Sequence, residues 1–363
     1  MDPQDHSLEG APETAPSGLR LCLVFPHLVL GGGETAMMAL GEGLRARFDL
    51  AVCALNRRPL TVEMSAGPEI SSRFPGAAFV TTREELAACL AGADLVLWYG
   101  LAPLIPSVIA ELAPRPVSVR VVHTDKDEEG SQFQARWQHV LDGVVCVAPA
   151  VARRITGAAF IPNTCSPDRL AGERRELFPD AQRRRRPTLG FLGRLLPLKN
   201  ISWVVENLAA LGCNLAIQGV DTPELSRRDL EALARERGVA ERVCFLPPGP
   251  QVGSLLRSID ALLIVSRQEG FPVVAVEAGM LGVPVIATPV GALPEIFAGE
   301  LLFVAHESDG TPSLAGLRQA LDRLDPSWGR RLQAKVESLC APEVVARRYA
   351  ALLEGLWRQR NGD

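Results

Sequence analysis

Residues 19–48 read LRLCLVFPHLVLGGGETAMMALGEGLRARF, and the reading of this stretch decides the fold. The unbroken apolar run from Leu21 to Phe25 is strand-length, and a Gly31-Gly32-Gly33 turn separates it from an amphipathic segment of helical period. A strand that is apolar on both faces must be covered on both faces, as in a parallel sheet lying between helices. The unit recurs: DLAVCAL, AAFV with REELAACLAG, DLVLWYG, PVSVRVVH, GVVCVAP with AVARRI. It starts afresh at TLGFLGR, with a helix expected over 201–211, then NLAIQGV, a helix through LSRRDLEALARERG, RVCFLP, ALLIVS and VPVIAT. The expectation is an α/β chain made of two doubly wound halves.

A chain of 363 residues suits two domains rather than one. The alternation stops between Asn163 and Pro187, where SPDRLAGERRELFPDAQRRRRP is charged and proline-punctuated, the composition of a solvated linker. The expected divisions are a loose polar tail over 1–16, an N-terminal domain over 17–165, a linker over 166–186, a C-terminal domain over 187–340 and a terminal helix over 341–363. That helix puts Ala346, Tyr349, Leu352, Leu353 and Trp357 near one face and is expected to return to the N-terminal domain.

A net charge of -4 argues against a nucleic-acid binder that works by massed phosphate neutralisation. The first sixteen residues lack the basic start and apolar run of a signal peptide, and no stretch of about 18 apolar residues is present to span a bilayer. A cytoplasmic protein is expected, with Arg183 to Arg186 as the candidate for peripheral membrane contact and a solvated linker as the plainer reading. Eight cysteines without a C-x-x-C pair read as reduced core thiols.

Three places carry chemistry. Gly31 to Ala36 joins the first strand to the first helix, where bare backbone and free amides suit a phosphate. Its Gly-x-Gly-x-x-Ala spacing also fits a dinucleotide site, so an NAD(P)-dependent oxidoreductase is the alternative, although Ala54-Leu55-Asn56-Arg57 stands where that motif expects an acid. The second place is GFLGRLLPLKN (190–200), which sets Arg194 and Lys199 on one turn, suited to a diphosphate. The third is EGFPVVAVE (269–277), with Glu269 in the turn after a strand and Glu277 inside a helix expected over 273–281, Pro272 occupying its first turn. That helix is otherwise apolar all round, so Glu277 is buried and needs hydrogen-bond donors, which sugar and ribose hydroxyls supply.

In this order the motifs Gly-Gly-Gly-Glu, His123, Gly-Arg-Leu-x-Pro-x-Lys-Asn, Glu-Gly-Phe-Pro with a second Glu eight positions on, Gly-Val-Pro-Val-Ile-Ala-Thr and Gly-Ala-Leu-Pro-Glu-Ile resemble the retaining GT-B glycosyltransferases of family 4, also called group 1. The resemblance runs from about Leu19 to the C-terminus and is densest over 190–296. It implies a GT-B fold, two Rossmann-like domains facing a central cleft, and metal-independent transfer of a sugar from a nucleoside-diphosphate-sugar to an acceptor hydroxyl.

The resemblance also implies roles. Arg194 and Lys199 would hold the donor diphosphate, Glu277 the ribose and Glu269 a hydroxyl of the sugar. Gly270, Phe271, Pro272 and Val273 would line the donor, with amides of Gly32 and Gly33 facing it from the other domain. His123 would face the sugar. No cofactor or metal is implied, and Asp125 and Asp127 read as a solvated loop. Trp98, Tyr99 and His27 are candidates for the acceptor pocket, Trp98 reading equally well as a core residue, and Pro247 to Gly253 for the base. The chain departs from the family pattern at Ala148, where a serine is common, and at IPNTCS, which replaces a Pro-Asn-Gly turn.

Overall fold

The computed structural model describes residues 17–56, 65–123, 127–183 and 186–362, with side chains from 132 onward in the helix Asp127–Trp137. The N-terminal sheet holds β1 (Arg20–Phe25), β2 (Asp49–Leu55), β3 (Ala78–Val80), β4 (Leu95–Tyr99), β5 (Val117–Val122), β6 (Gly143–Cys146) and β7 (Ala159–Phe160), in the order β3-β2-β1-β4-β5-β6-β7. The C-terminal sheet holds β8 (Thr188–Arg194), β9 (Asn214–Val220), β10 (Val243–Leu246), β11 (Ala261–Ile264), β12 (Val285–Ala287) and β13 (Leu302–Phe303), in the order β10-β9-β8-β11-β12-β13. The pairings are parallel throughout, with Leu23 opposite Val52 and Leu97 in one sheet and Leu189 opposite Leu215 and Ala261 in the other.

The continuous apolar strands divide their residues between two layers. Leu21, Leu23 and Phe25 of β1 enter one core, whereas Cys22 and Val24 enter a second on the opposite face with Trp98, Leu86 and Ile105. The first core is not confined to one domain. It runs from β1 through Tyr349, Leu353 and Val336 to Val276, Leu262 and Ile264 of the C-terminal half. A third core, around Phe191, Val204, Leu208 and Leu263, backs the outer face of the C-terminal sheet. The helix expected over 201–211 is present with those bounds.

The terminal helix Pro342–Asn361 returns to the N-terminal domain. It lies on the helix Gly32–Leu44, closely enough that a Cβ on Gly43 would come within 2.8 Å of Ala346. Glu354 receives Arg47, and Arg360 reaches Asp142 at 3.1 Å and the Pro116 carbonyl at 3.0 Å. All eight cysteines are free thiols, and burial drives Cys22 and Cys340 up to about 12. Among the described residues no helix is long and apolar enough to cross a membrane. Of the basic run, Arg183 ends a short helix and positions 184 and 185 lie outside the described residues.

The segment after Asn163 is not simply solvated. Thr164 donates to the Cys340 carbonyl at 2.7 Å, and Ser166, Arg169, Leu170 and Phe178 are buried. The segment packs on the C-terminal domain so closely that the Leu170 carbonyl leaves no space for a side chain at position 253. Charge density made this stretch look exposed, and Asp168, Glu173 to Glu176 and Asp180 are exposed, but Arg169 is buried with the apolar residues.

Candidate functional site

Strand order reverses between β1 and β4 and again between β8 and β11, and in open parallel sheets ligands settle beyond the strand ends at such switch points. The two switch points face one cleft of about 410 Å³, lined from one side by residues such as Gly32, Gly33, Tyr99 and His123 and from the other by Arg194, Lys199, Glu269 and Glu277. The domains touch there: a Cβ on Gly32 would stand 3.7 Å from the Val273 side chain.

The C-terminal wall begins at the end of β8. Arg194 is half-buried, lines the cleft and has no hydrogen bond or ion pair with any described residue. Lys199 is placed differently from the expectation of two cations converging on one anion. It pairs with Glu269, whose Oε1 also accepts from Ser266 Oγ at 2.6 Å. The turn holding Lys199 is fixed by Asn200, which sits in the left-handed region at φ 56 and donates to the carbonyls of Val265 at 2.9 Å and Gly310 at 3.0 Å.

After β11 the turn Glu269-Gly270-Phe271 leads into the helix Val273–Met280, one residue shorter than expected, with Pro272 as its extended N-cap rather than inside its first turn. The Gly270 carbonyl accepts from Ala292 at 2.8 Å. That approach requires Gly291, which has φ 54 and whose Cβ would stand 2.7 Å from the Glu269 carbonyl and closer still to that of Gly270. Phe271 points into the core, edge-on to Phe297 at 6.1 Å, so its backbone rather than its ring shapes the cleft. Asn163 donates to the Phe271 carbonyl at 3.2 Å and ties the end of the N-terminal domain to this turn.

Glu277 is fully buried, and half of its demand for donors is met from an unexpected source. Arg169, in the segment between the domains, donates through Nε to Oε1 at 2.6 Å and through Nη1 to the Pro250 carbonyl at 2.9 Å. Burial works against the Arg169 charge, but the adjoining carboxylate outweighs it and raises the guanidinium above its ordinary value. The other oxygen, Oε2, has no partner among the described residues although it is buried and Glu277 lines the cleft. Buried polar atoms are nearly always satisfied, so Oε2 marks a place where a ligand donor fits.

The N-terminal wall is an aromatic stack. Tyr99 lies edge-on to both His27 at 5.6 Å and His123 at 5.5 Å, and its hydroxyl donates to Glu34 at 2.9 Å. Burial and then the Glu34 charge raise the Tyr99 phenol well above its usual range, so it stays a donor. His27 Nδ1 stands 2.9 Å from the same carboxylate oxygen. Both nitrogens of His123 lack partners among the described residues, and burial lowers its pKa to about 4 despite the opposing pull of Glu34, leaving a neutral ring. Gly31, Gly32 and Gly33 avoid the left-handed region, so no turn demands them. Their lack of side chains leaves the first amides of the helix Gly32–Leu44 open to the cleft.

Trp98, a candidate for the acceptor pocket, belongs to the core instead. It is fully buried, donates to Ser118 at 3.3 Å and packs on Phe133. Asp125 and the Asp127 side chain lie outside the described residues. Pro248 and Gly249 of the expected base-contacting loop line the cleft. Sequence reasoning missed Arg169, Glu34 and the bridging role of Asn163. The glutamate beside Gly31 to Gly33 was within reach, because it opens a helix and is followed by the apolar run Ala36 to Leu40.

Residues 173–311 match the family described as glycosyl transferases group 1. A D-inositol 3-phosphate glycosyltransferase of Nocardia farcinica is 34% identical over 215 residues, covering 48% of this chain and 48% of that protein. The chain therefore spans about half the length of the curated relatives it matches. Two solved structures share the fold: sucrose-phosphate synthase from Thermosynechococcus elongatus (TM-score 0.68, 20% identity, 94% of this chain and 100% of that one) and Anabaena HepE in complex with UDP-glucose (TM-score 0.71, 16% identity, 93% and 100%). The architecture is GT-B, and the comparisons lend the oxidoreductase alternative no support.

Proposed function

We propose that this chain is a group 1 glycosyltransferase that moves a sugar from a nucleoside-diphosphate-sugar to an acceptor hydroxyl, with retention at the anomeric carbon. The observation that carries the reading is Glu277 Oε2, a buried carboxylate oxygen with no donor, in the same cleft as the unpaired cation Arg194. A nucleoside diphosphate supplies both missing partners: ribose hydroxyls for Glu277 and phosphate oxygens for Arg194.

The remaining groups fit a dissociating sugar. Charge develops on the β-phosphate as the anomeric C–O bond breaks, and Arg194, Lys199 and the open amides at Gly32 and Gly33 face that charge. A preorganised donor at such a place lowers the barrier by about 3–4 kcal/mol. The acceptor oxygen forms the new bond on the same face, and its proton passes to the departing phosphate. Glu269, fixed by Lys199 and Ser266, holds a hydroxyl of the sugar, and neutral His123 faces the sugar from the opposite wall. These side chains and helix ends supply the charge without a cofactor. In HepE the bound donor is UDP-glucose, and the Nocardia relative is named for D-inositol 3-phosphate; the donor base and sugar of this chain are open.

A thermal-shift panel of nucleoside diphosphates tests the reading, because a ligand that binds the folded state raises its stability by mass action. At least one should raise the unfolding temperature of wild type, and Glu277→Ala should abolish the shift. Proton NMR of the product of the matching donor should show the donor's anomeric configuration. If no nucleoside diphosphate shifts wild type and none is released from any common donor, the reading is lost.

A further inference from the structure

The donor reading leaves one buried charge unused. Arg120 lies in the middle of β5 and is 2% exposed. Its Nε donates to the Gly100 carbonyl at 3.0 Å, its Nη1 reaches Gln134 Oε1 at 3.3 Å, and its guanidinium carbon sits 4.7 Å from the centre of the Phe133 ring. All three partners are neutral. Among the described residues no carboxylate pairs with Arg120, although arginines buried this deeply are normally matched by one. The cost is visible in the guanidinium itself, which burial lowers to about 10.

Arg120 also lines the cleft, on the N-terminal wall beside Gly100, Leu101 and Val122. It belongs to the domain opposite Arg194 and Lys199, so it is no part of the diphosphate cradle. Two of its five N–H donors are used by the protein, which leaves enough of the fork for an incoming anion. Leu101, among the few large apolar side chains left exposed, gives this arm of the cleft a hydrophobic edge.

We propose that Arg120 is the anion-recognition residue for the second substrate, and that the acceptor therefore carries a phosphate or carboxylate group besides the hydroxyl that receives the sugar. This rests on the glycosyltransferase reading and deepens it. The arrangement separates the two anions of the reaction: donor diphosphate on the C-terminal wall, acceptor anion at the floor of the N-terminal wall, with His123 between them in sequence and facing the same space.

Matched acceptor pairs test it with the donor identified above: glycerol against glycerol 3-phosphate, glucose against glucose 6-phosphate, and glucose against glucuronate, the last separating carboxylate from phosphate. In wild type kcat/KM should favour a charged member by about ten- to a hundredfold, the range for one charge-assisted contact. That preference should collapse in Arg120→Met and shrink in Arg120→Lys, whereas a purely structural role would lower both members of a pair alike. Equal use of charged and neutral members by wild type, or a preference that survives Arg120→Met, overturns the proposal while leaving the donor reading intact.

A second arm needs no turnover. In an Arg194→Ala background, inorganic phosphate or acetate should still raise the unfolding temperature, and adding Arg120→Lys should remove at least half of the shift. No Arg120-dependent shift with either anion would refute the site even if the donor reading failed for its own reasons.

Discussion

Replacing Arg169 by methionine would test the least expected contact of the site. Among the described residues Arg169 Nε is the only donor to the Glu277 carboxylate, whose side chain is 1% exposed and whose Oε2 is unpartnered. Removing the guanidinium leaves both oxygens of a buried carboxylate without a donor, and breaking one side of such a pair typically costs about 3–5 kcal/mol. Glu277→Gln should cost less alone, since an amide is cheaper to bury than a charge. The double variant Arg169→Met/Glu277→Gln should be more stable than Arg169→Met, because the stranded charge is gone. Urea unfolding of the four proteins gives the coupling, expected to exceed about 1.5 kcal/mol. Nucleoside-diphosphate affinity should fall about ten- to a hundredfold in Arg169→Met, because the carboxylate that meets the ribose is no longer held. Additivity within about 0.5 kcal/mol across the cycle, or unchanged affinity in Arg169→Met, would refute the view that the interdomain segment positions Glu277.

Gly291→Ala forces a side chain at φ 54 against the carbonyls that frame the Glu269 turn; unfolding should show a loss of about 1–3 kcal/mol, and transfer rate should drop more than donor affinity. Asn200→Ala removes the two hydrogen bonds its amide donates and the one it accepts from Arg267, as well as a residue suited to φ 56, for about 2–4 kcal/mol by the same measurement, and Asn200→Gly should recover only the backbone share. His123 has a folded pKa of about 4 against an unfolded value near 6.5, so the unfolded chain binds the extra proton between those pH values. Its contribution to stability is complete above pH 6.5 and is lost as pH falls toward 4. The difference in stability between wild type and His123→Asn should therefore change across that window and level off above it, and a flat difference would mean that His123 charges freely in the fold.

How much of this was legible in the sequence follows from the range of each interaction. Strand and helix periods are local, so both sheets, the helix at 201–211 and the returning terminal helix could be read directly. Glu277 was legible as a problem, since an acid in an all-apolar helix demands partners, but its solution was not. Arg169 lies 108 positions upstream, in a segment whose charge density is that of an exposed linker. For Trp98 the choice between pocket and core stayed open for a related reason: β4 is apolar on both faces, and only the contact with Ser118, two positions back on the neighbouring strand from its registered partner Arg120, shows that its indole is held in the core. The pairing of Lys199 with Glu269 was not legible, because nothing local shows that a turn after β8 and a turn after β11 meet.

The helix Val273–Met280 explains why those long-range contacts gather where they do. It is apolar all round because every side is occupied: the helix Gly32–Leu44 of the other domain at its start, the helix Pro326–Cys340 along its length, and the sheet beneath. Gly279 permits the second of these, since a Cβ there would come within 3.1 Å of Leu332 and nearer still to Val336. One helix is thus the joint between domains and the carrier of Glu277. Donor hydroxyls that satisfy Glu277 Oε2 would act on an element already touching Gly32 across the cleft, so donor binding and domain closure must draw on the same free energy. A ligand that reached Arg194 but not Glu277 would gain its phosphate contacts without that coupling, which is why an inorganic diphosphate should bind more weakly than the nucleoside diphosphate by more than the loss of base contacts alone.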